Sequence, residues 1–205
     1  MIHFTVSKNA TIAHAWVRNV LSAEGQIPFS TMMLDVEFSF HAESLSDSDD
    51  VAPHEYLSVY AGQVLELFDG VHILWDKDER AQVVTAEIHE YYGGVRSLST
   101  PYNPTLEHVS GMIYAVMHRI LCASNFTNSE DPELELVCVK VSDRVTNTTV
   151  TYDSLAFEGR LALNATTFRW SSSALETAAL DVVSLFSEDV RIDVPVAEKT
   201  VDKYE

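Results

Sequence analysis

Two histidine–glutamate pairs are the first residues that could do chemistry. His54-Glu55-Tyr56-Leu57-Ser58 and His89-Glu90-Tyr91-Tyr92-Gly93 each begin like a zinc-protease helix. That motif needs a second histidine four residues after the first, so that both imidazoles share one helix face around the metal. Ser58 and Gly93 stand there instead, and both pairs are rejected. Glu87 and His89 lie two apart on a predicted strand and share a face, as do His41 and Glu43. Val84, Ala86 and Ile88 mark the other face of the first strand as buried, which leaves Glu87 and His89 to solvent. We expect no metal site.

Nucleophiles and nucleotide cradles fare no better. The glycine-rich phosphate loops and the G-x-S-x-G elbow are missing, so no cofactor is expected and no residue is assigned as catalytic. His118 precedes Cys122 by one helical turn and could activate it, but no third group is placed to orient the imidazole. An enzyme remains open only as a dispersed site, with His72, Glu87, His89, His118 and Asp143 converging in three dimensions.

A loop offers more. Tyr91-Tyr92-Gly93-Gly94-Val95-Arg96 runs on through Ser97 to Asn103. Tyrosine presents a large contact area at little rotamer cost, and such loops often bind partners. Tyr91, Tyr92, Gly93, Gly94, Arg96 and Tyr102 are the candidate binding residues of an interaction loop. The acidic stretch Ser44–Pro53 is a second segment suited to a basic partner.

The charge balance narrows the partners. The 205 residues hold 31 Asp and Glu against 13 Lys and Arg, a formal charge of −18. The basic residues are scattered and form no stripe, so direct nucleic-acid binding is not expected. Three readings of the acidity compete: a solvated surface, adaptation to high salt, and mimicry of DNA by carboxylates. Scarce lysine and abundant valine speak for the second. No segment has the basic, then apolar, make-up of an export signal, and no apolar run is long enough for a membrane helix. The chain is expected to be cytoplasmic when made, with no membrane partner. Two cysteines, Cys122 and Cys138, suit a reducing compartment. Sequons at Asn9, Asn125, Asn147 and Asn164 then mark Asn- and Thr-rich turns.

Elements must position these residues. Ile2–Val6 reads as a short strand. Asn9 caps a predicted helix over Ala10–Glu24, with Ile12, Trp16, Val17, Val20 and Leu21 on one stripe. Leu34, Val36, Phe38 and Phe40 alternate with polar residues in the clearest strand. A helix with Tyr56, Leu57, Tyr60, Val64, Leu67 and Phe68 on one face runs to Gly70. Val71–Trp75 and Ala81–Tyr91 read as a hairpin, and Gly93–Asn103 as a loop. Asn103 and Pro104 open the most apolar helix, from Leu106 to Leu121. Leu134–Val141 is a strand, Asn147 lies in a turn, and one or two strands fall between Thr149 and Trp170. A last helix runs from Ser173 to Phe186, and Val190–Val196 closes the order as a strand.

These elements predict one α+β domain over residues 1–205, a mixed or mainly antiparallel sheet with about four helices packed on it. Residues 197–205 form a charged tail, loose in the free chain. By elimination the sequence points to a non-enzymatic structural or assembly protein, most concretely a virion component of tail, neck or capsid, that self-associates into a homo-oligomer. A small-molecule enzyme and an acidic nucleic-acid mimic that inhibits a DNA-binding protein are the alternatives.

Overall fold

The computed structural model describes residues 2–15, 29–42, 54–78, 96–123, 134–153 and 169–170. Two long strands, β1 (Ile2–Ala15) and β2 (Phe29–Ala42), pair antiparallel over their whole length, from Ile2 opposite Ala42 to Ala15 opposite Phe29. Helix α1 spans His54–Phe68, and strands β3 (His72–Trp75) and β4 (Ser97–Thr100) precede helix α2 (Leu106–Ala123). The chain continues as β5 (Leu134–Asp143), β6 (Thr148–Asp153) and the two-residue β7 (Arg169–Trp170). The sheet order is β6-β5-β2-β1-β3-β4-β7. Its first four strands are antiparallel, β3 runs parallel to β1 and β4, and β7 is antiparallel to β4.

Period-two burial explains the layering. On β2, Met32, Leu34, Val36, Phe38, Phe40 and Ala42 are buried, and on β1 Val6, Ala10 and Ile12 face the same way. A bulge at Ser39/Phe40 keeps Leu136, Val139 and Val141 of β5 on that face. The buried stripes of both helices join it in one core, including Leu57, Val64, Phe68, Met112, Val116 and Ile120. α1 packs on β1, and α2 on β5 and β6. Among the described residues, the opposite face of the four antiparallel strands contributes nothing to this core.

Local chemistry sets the element ends. Gly70 takes φ 67°, the left-handed region open to glycine, and ends the run of α1. There Asp69 Oδ1 accepts from Thr11 N at 2.7 Å, and Gly70 N donates to Thr11 O at 2.7 Å, which ties the helix end to β1. Between β5 and β6, Asn147 at φ 53° completes the turn.

Four expectations are corrected. The described residues hold two helices rather than about four on the sheet. The helix expected over Ala10–Glu24 fails at its start, because Asn9 to Ala15 belong to β1. Ala10 and Ile12 fit period 2 as well as a helical stripe, and the continuous ladder to β2 supplies the hydrogen bonds a helix would have made locally. The hairpin of Val71–Trp75 with Ala81–Tyr91 also fails, since β3 has β1 on one side and β4 on the other. Ser97–Thr100, expected as loop, is that second neighbour. Residues 81–91, the helix Ser173–Phe186, the strand Val190–Val196 and the tail lie outside the described residues.

Candidate functional site

Arg96 is committed to the fold. Its guanidinium donates to Asp69 O at 2.7 Å and to Glu66 O at 2.6 Å. α1 has no basic residue in its last turn, so Arg96 supplies from outside the positive charge that terminal helix carbonyls favour. Its own carbonyl accepts from His72 N at 2.9 Å, which places it at the start of β4.

Tyr102 belongs to a polar group at the head of α2. Thr100 Oγ1 donates to Tyr102 O at 2.5 Å and Trp75 Nε1 to Pro101 O at 3.2 Å, which fixes the segment before the helix. The Tyr102 ring stacks on His108, centroids 5.1 Å apart and planes within 9°. Thr105 is the N-cap, since its carbonyl accepts from Val109 N at 2.9 Å. Its hydroxyl lies 3.1 Å from His108 Nδ1. A hydrogen bond from Thr105, then one from its own backbone N–H, holds the Glu107 carboxyl below its ordinary value. Tyr91, Tyr92, Gly93 and Gly94 lie outside the described residues.

Thr105, Glu107 and His108 were not singled out by sequence reasoning. The available signal was a threonine three residues before a polar side chain at the head of an apolar helix, the spacing of a capping box.

The described members of the dispersed acid–base set, His72, His118 and Asp143, stand on separate parts of the fold. Burial, then Arg119, pushes the His118 imidazole down against an opposing effect of Glu135 on β5. Asp143 is eight residues further along β5, roughly 26 Å at the strand rise. His72 is held on β3, its imidazole pushed down by burial. Glu87 and His89 lie outside the described residues. Among the described residues no three His, Cys, Asp or Glu are grouped to hold a metal.

Cys122 Sγ does sit 3.7 and 3.8 Å from the two nitrogens of His118. Burial raises the thiol and lowers the imidazole, so both favour their neutral forms. A thiolate–imidazolium pair needs the reverse.

The sheet face on which no described helix packs carries the densest polar pattern. Thr5, Ser7, Asn9 and Thr11 of β1 are exposed on it. Arg144, just after β5, donates from Nε to Asp35 Oδ2 at 2.6 Å and from Nη2 to Oδ1 at 2.5 Å. That bidentate contact lowers the Asp35 pKa and raises that of Arg144. Lys140 Nζ donates to Glu37 Oε2 at 3.0 Å. Across β1, β2 and β5, His3 stacks on His41 at 5.4 Å, and His41 Nδ1 lies 3.7 Å from Glu135. At the end of β5, Asp143 is buried on the other side of the sheet, in phase with Val139 and Val141 and opposite Leu34. It accepts from Met33 N at 3.0 Å, Val145 N at 3.1 Å, Thr146 N at 3.2 Å and Thr146 Oγ1 at 2.7 Å. Burial raises its pKa, but these hydrogen bonds outweigh it and leave the carboxyl below its ordinary value.

No family model matches the chain, and no curated protein matches it. The fold is similar to that of the uncharacterized protein WS1659 from Wolinella succinogenes, at 9% identity and TM-score 0.50, over 75% of this chain and 99% of that one. A 6-pyruvoyl tetrahydropterin synthase from Caenorhabditis elegans aligns at 16% identity and TM-score 0.46, over 75% of this chain and 95% of that one. The first likeness is one of fold, and the second is too loose to argue from. No described helix is long and apolar enough to cross a membrane.

Proposed function

We propose that the protein works as a subunit of a homo-oligomer, a structural building block whose sheet faces inward or toward a neighbouring copy. The observation that supports this is the face of the β6-β5-β2-β1 sheet that no described helix covers, bounded by β6. Its strands reach 14 residues, yet no described residue of the face joins the core. β6 is the last strand of the sheet among the described residues. Its sequence, Thr-Thr-Val-Thr-Tyr-Asp, has neither the lysine nor the proline that commonly blunt an edge. Antiparallel sheets tolerate water on one face, so the decisive quantity is mass in solution. Light scattering behind a sizing column should give a discrete multiple of the 22.9 kDa chain mass. The multiple should grow with KCl, as salt screens the repulsion between copies of charge −18. A 22.9 kDa species at every salt and concentration overturns the proposal. A virion setting, expected from the sequence by elimination, gains no support from any described feature and is left out.

A second reading, a small-molecule enzyme, is favoured by the head of α2, where an ionised Glu107, the Thr105 hydroxyl and the Tyr102-stacked His108 form one polar chain. Capping explains the same contacts. A ligand screen by thermal shift separates the two, because a hit lost in His108→Ala and Glu107→Gln but kept in Arg144→Ala favours the enzyme.

A further inference from the structure

We propose that the corner of this sheet face around Met33, Val145, Asp35 and Arg144 is an isologous contact between two copies of this chain. The inference rests on the homo-oligomer reading and names its surface.

Met33 on β2 and Val145 in the turn after β5, two of the three large hydrophobic residues exposed among the described residues, are joined here through their backbones. Met33 is 48% and Val145 59% exposed. Their backbone N–H groups donate to the same oxygen, Asp143 Oδ1, and Arg144 N donates to Met33 O at 2.9 Å. Turn and strand are thus locked together, and the backbone that carries the two exposed apolar residues is held in place. An interface core of this kind wants apolar groups held in place and a polar rim.

The rim identifies the occupant. Asp35 and Arg144 side chains are 40% and 60% exposed, and those of Glu37 and Lys140 43% and 45%. Two cations offset two anions at this corner, in a chain that carries 31 acids against 13 bases. Copies of charge −18 repel least where their charge cancels locally. The patch is also self-complementary. A two-fold axis through it sets Arg144 of one copy against Asp35 of the other, and the reverse, as an isologous contact requires. A strongly basic partner would instead find half of its charge opposed.

The test uses two full-length variants, Asp35→Arg and Arg144→Asp, with circular dichroism and melting temperature confirming the fold of each. Both positions are well exposed, and surface changes of this kind are usually tolerated. The expected result is a self-associated wild type, two variants that each run at half the wild-type mass or less, and recovery of a two-copy complex when they are mixed one to one. Recovery follows because Asp35→Arg leaves the contact with arginine at both positions and Arg144→Asp leaves it with aspartate at both. Like pairs then repel, and the mixed pair attracts. Val145→Glu, in the exposed turn, is the third variant and should also dissociate the complex. If the wild type associates but the variants keep its mass, this surface is wrong and association by another route, such as the β6 edge, stands. If the variants dissociate but do not recombine, the isologous geometry is overturned. A monomeric wild type overturns both the surface and the reading beneath it.

Discussion

Arg96 holds the end of α1 through the main-chain oxygen of Asp69, 2.7 Å from its guanidinium, while the Asp69 side chain accepts from Thr11 on β1. One residue pair therefore joins β4, α1 and β1. The helix end keeps its carbonyls satisfied although α1 has no basic residue in its last turn.

Removing that clasp has a defined cost. Arg96→Ala leaves the Glu66 and Asp69 carbonyls without their charged donor, and should lower stability by about 1–3 kcal/mol. Urea unfolding monitored by circular dichroism checks this. A change below a few tenths of a kcal/mol would show that water replaces the guanidinium without loss.

Asp143 should make the protein acid-sensitive. Its folded pKa is depressed, so the stability it contributes is present above the ordinary aspartate value and lost as pH falls through the lower folded value. Unfolding measured from pH 7 to pH 2 should show a wild-type decline below about pH 4. Asp143→Asn should remove part of that slope and cost about 2–4 kcal/mol at pH 7, since three backbone donors lose their acceptor charge. An unchanged slope would shift the acid response to other carboxylates.

Met112 lies at the centre of the buried face of α2 and is 2% exposed. Met112→Asp places a carboxylate with no cation into the core, a change of roughly 4 kcal/mol or more, and should abolish cooperative folding. A soluble variant with native near-ultraviolet dichroism would contradict the position given to α2.

Cys122 should be a slow thiol. Cys122 is exposed at the end of α2, yet desolvation by its surroundings raises its pKa and lowers that of His118, so little thiolate forms at neutral pH. Reaction with a chromogenic disulfide should be slow at pH 7 and rise only above about pH 8.5, the ordinary thiol range. Rapid labelling at pH 6 would reveal an activated pair.

Where one period dominated, the elements were legible in the sequence. Leu34 to Phe40 alternate without ambiguity and are buried as expected, and the apolar stripes from Leu57 to Phe68 and from Leu106 to Leu121 form the helix faces of the core. Ala10 and Ile12 satisfied two periods at once, and pairing with a strand some 20 residues away decided between them. Ser97–Thr100 is too short and polar to announce a strand, and it forms because β3 presents an open parallel edge. The site was less legible. The residue types of Arg96 and Tyr102 suggest binding, yet the roles the structure gives them depend on α1 and His108, which no local spacing connects to that reading. Asp35 and Arg144 are 109 residues apart, and no local spacing pairs them.

The claim that copies meet on this sheet face is tested most directly by oxidation of Met33. Adjacent Met32 points into the core at 6% exposure, while Met33 is 48% exposed, so one peptide carries its own control. Peroxide oxidation is followed by fragment mass spectrometry across a wide range of protein concentration. The account predicts fast Met33 oxidation in dilute protein and strong protection as the oligomer fills, with Met32 slow throughout. Met33 oxidised at one rate over the range in which the mass rises would contradict it.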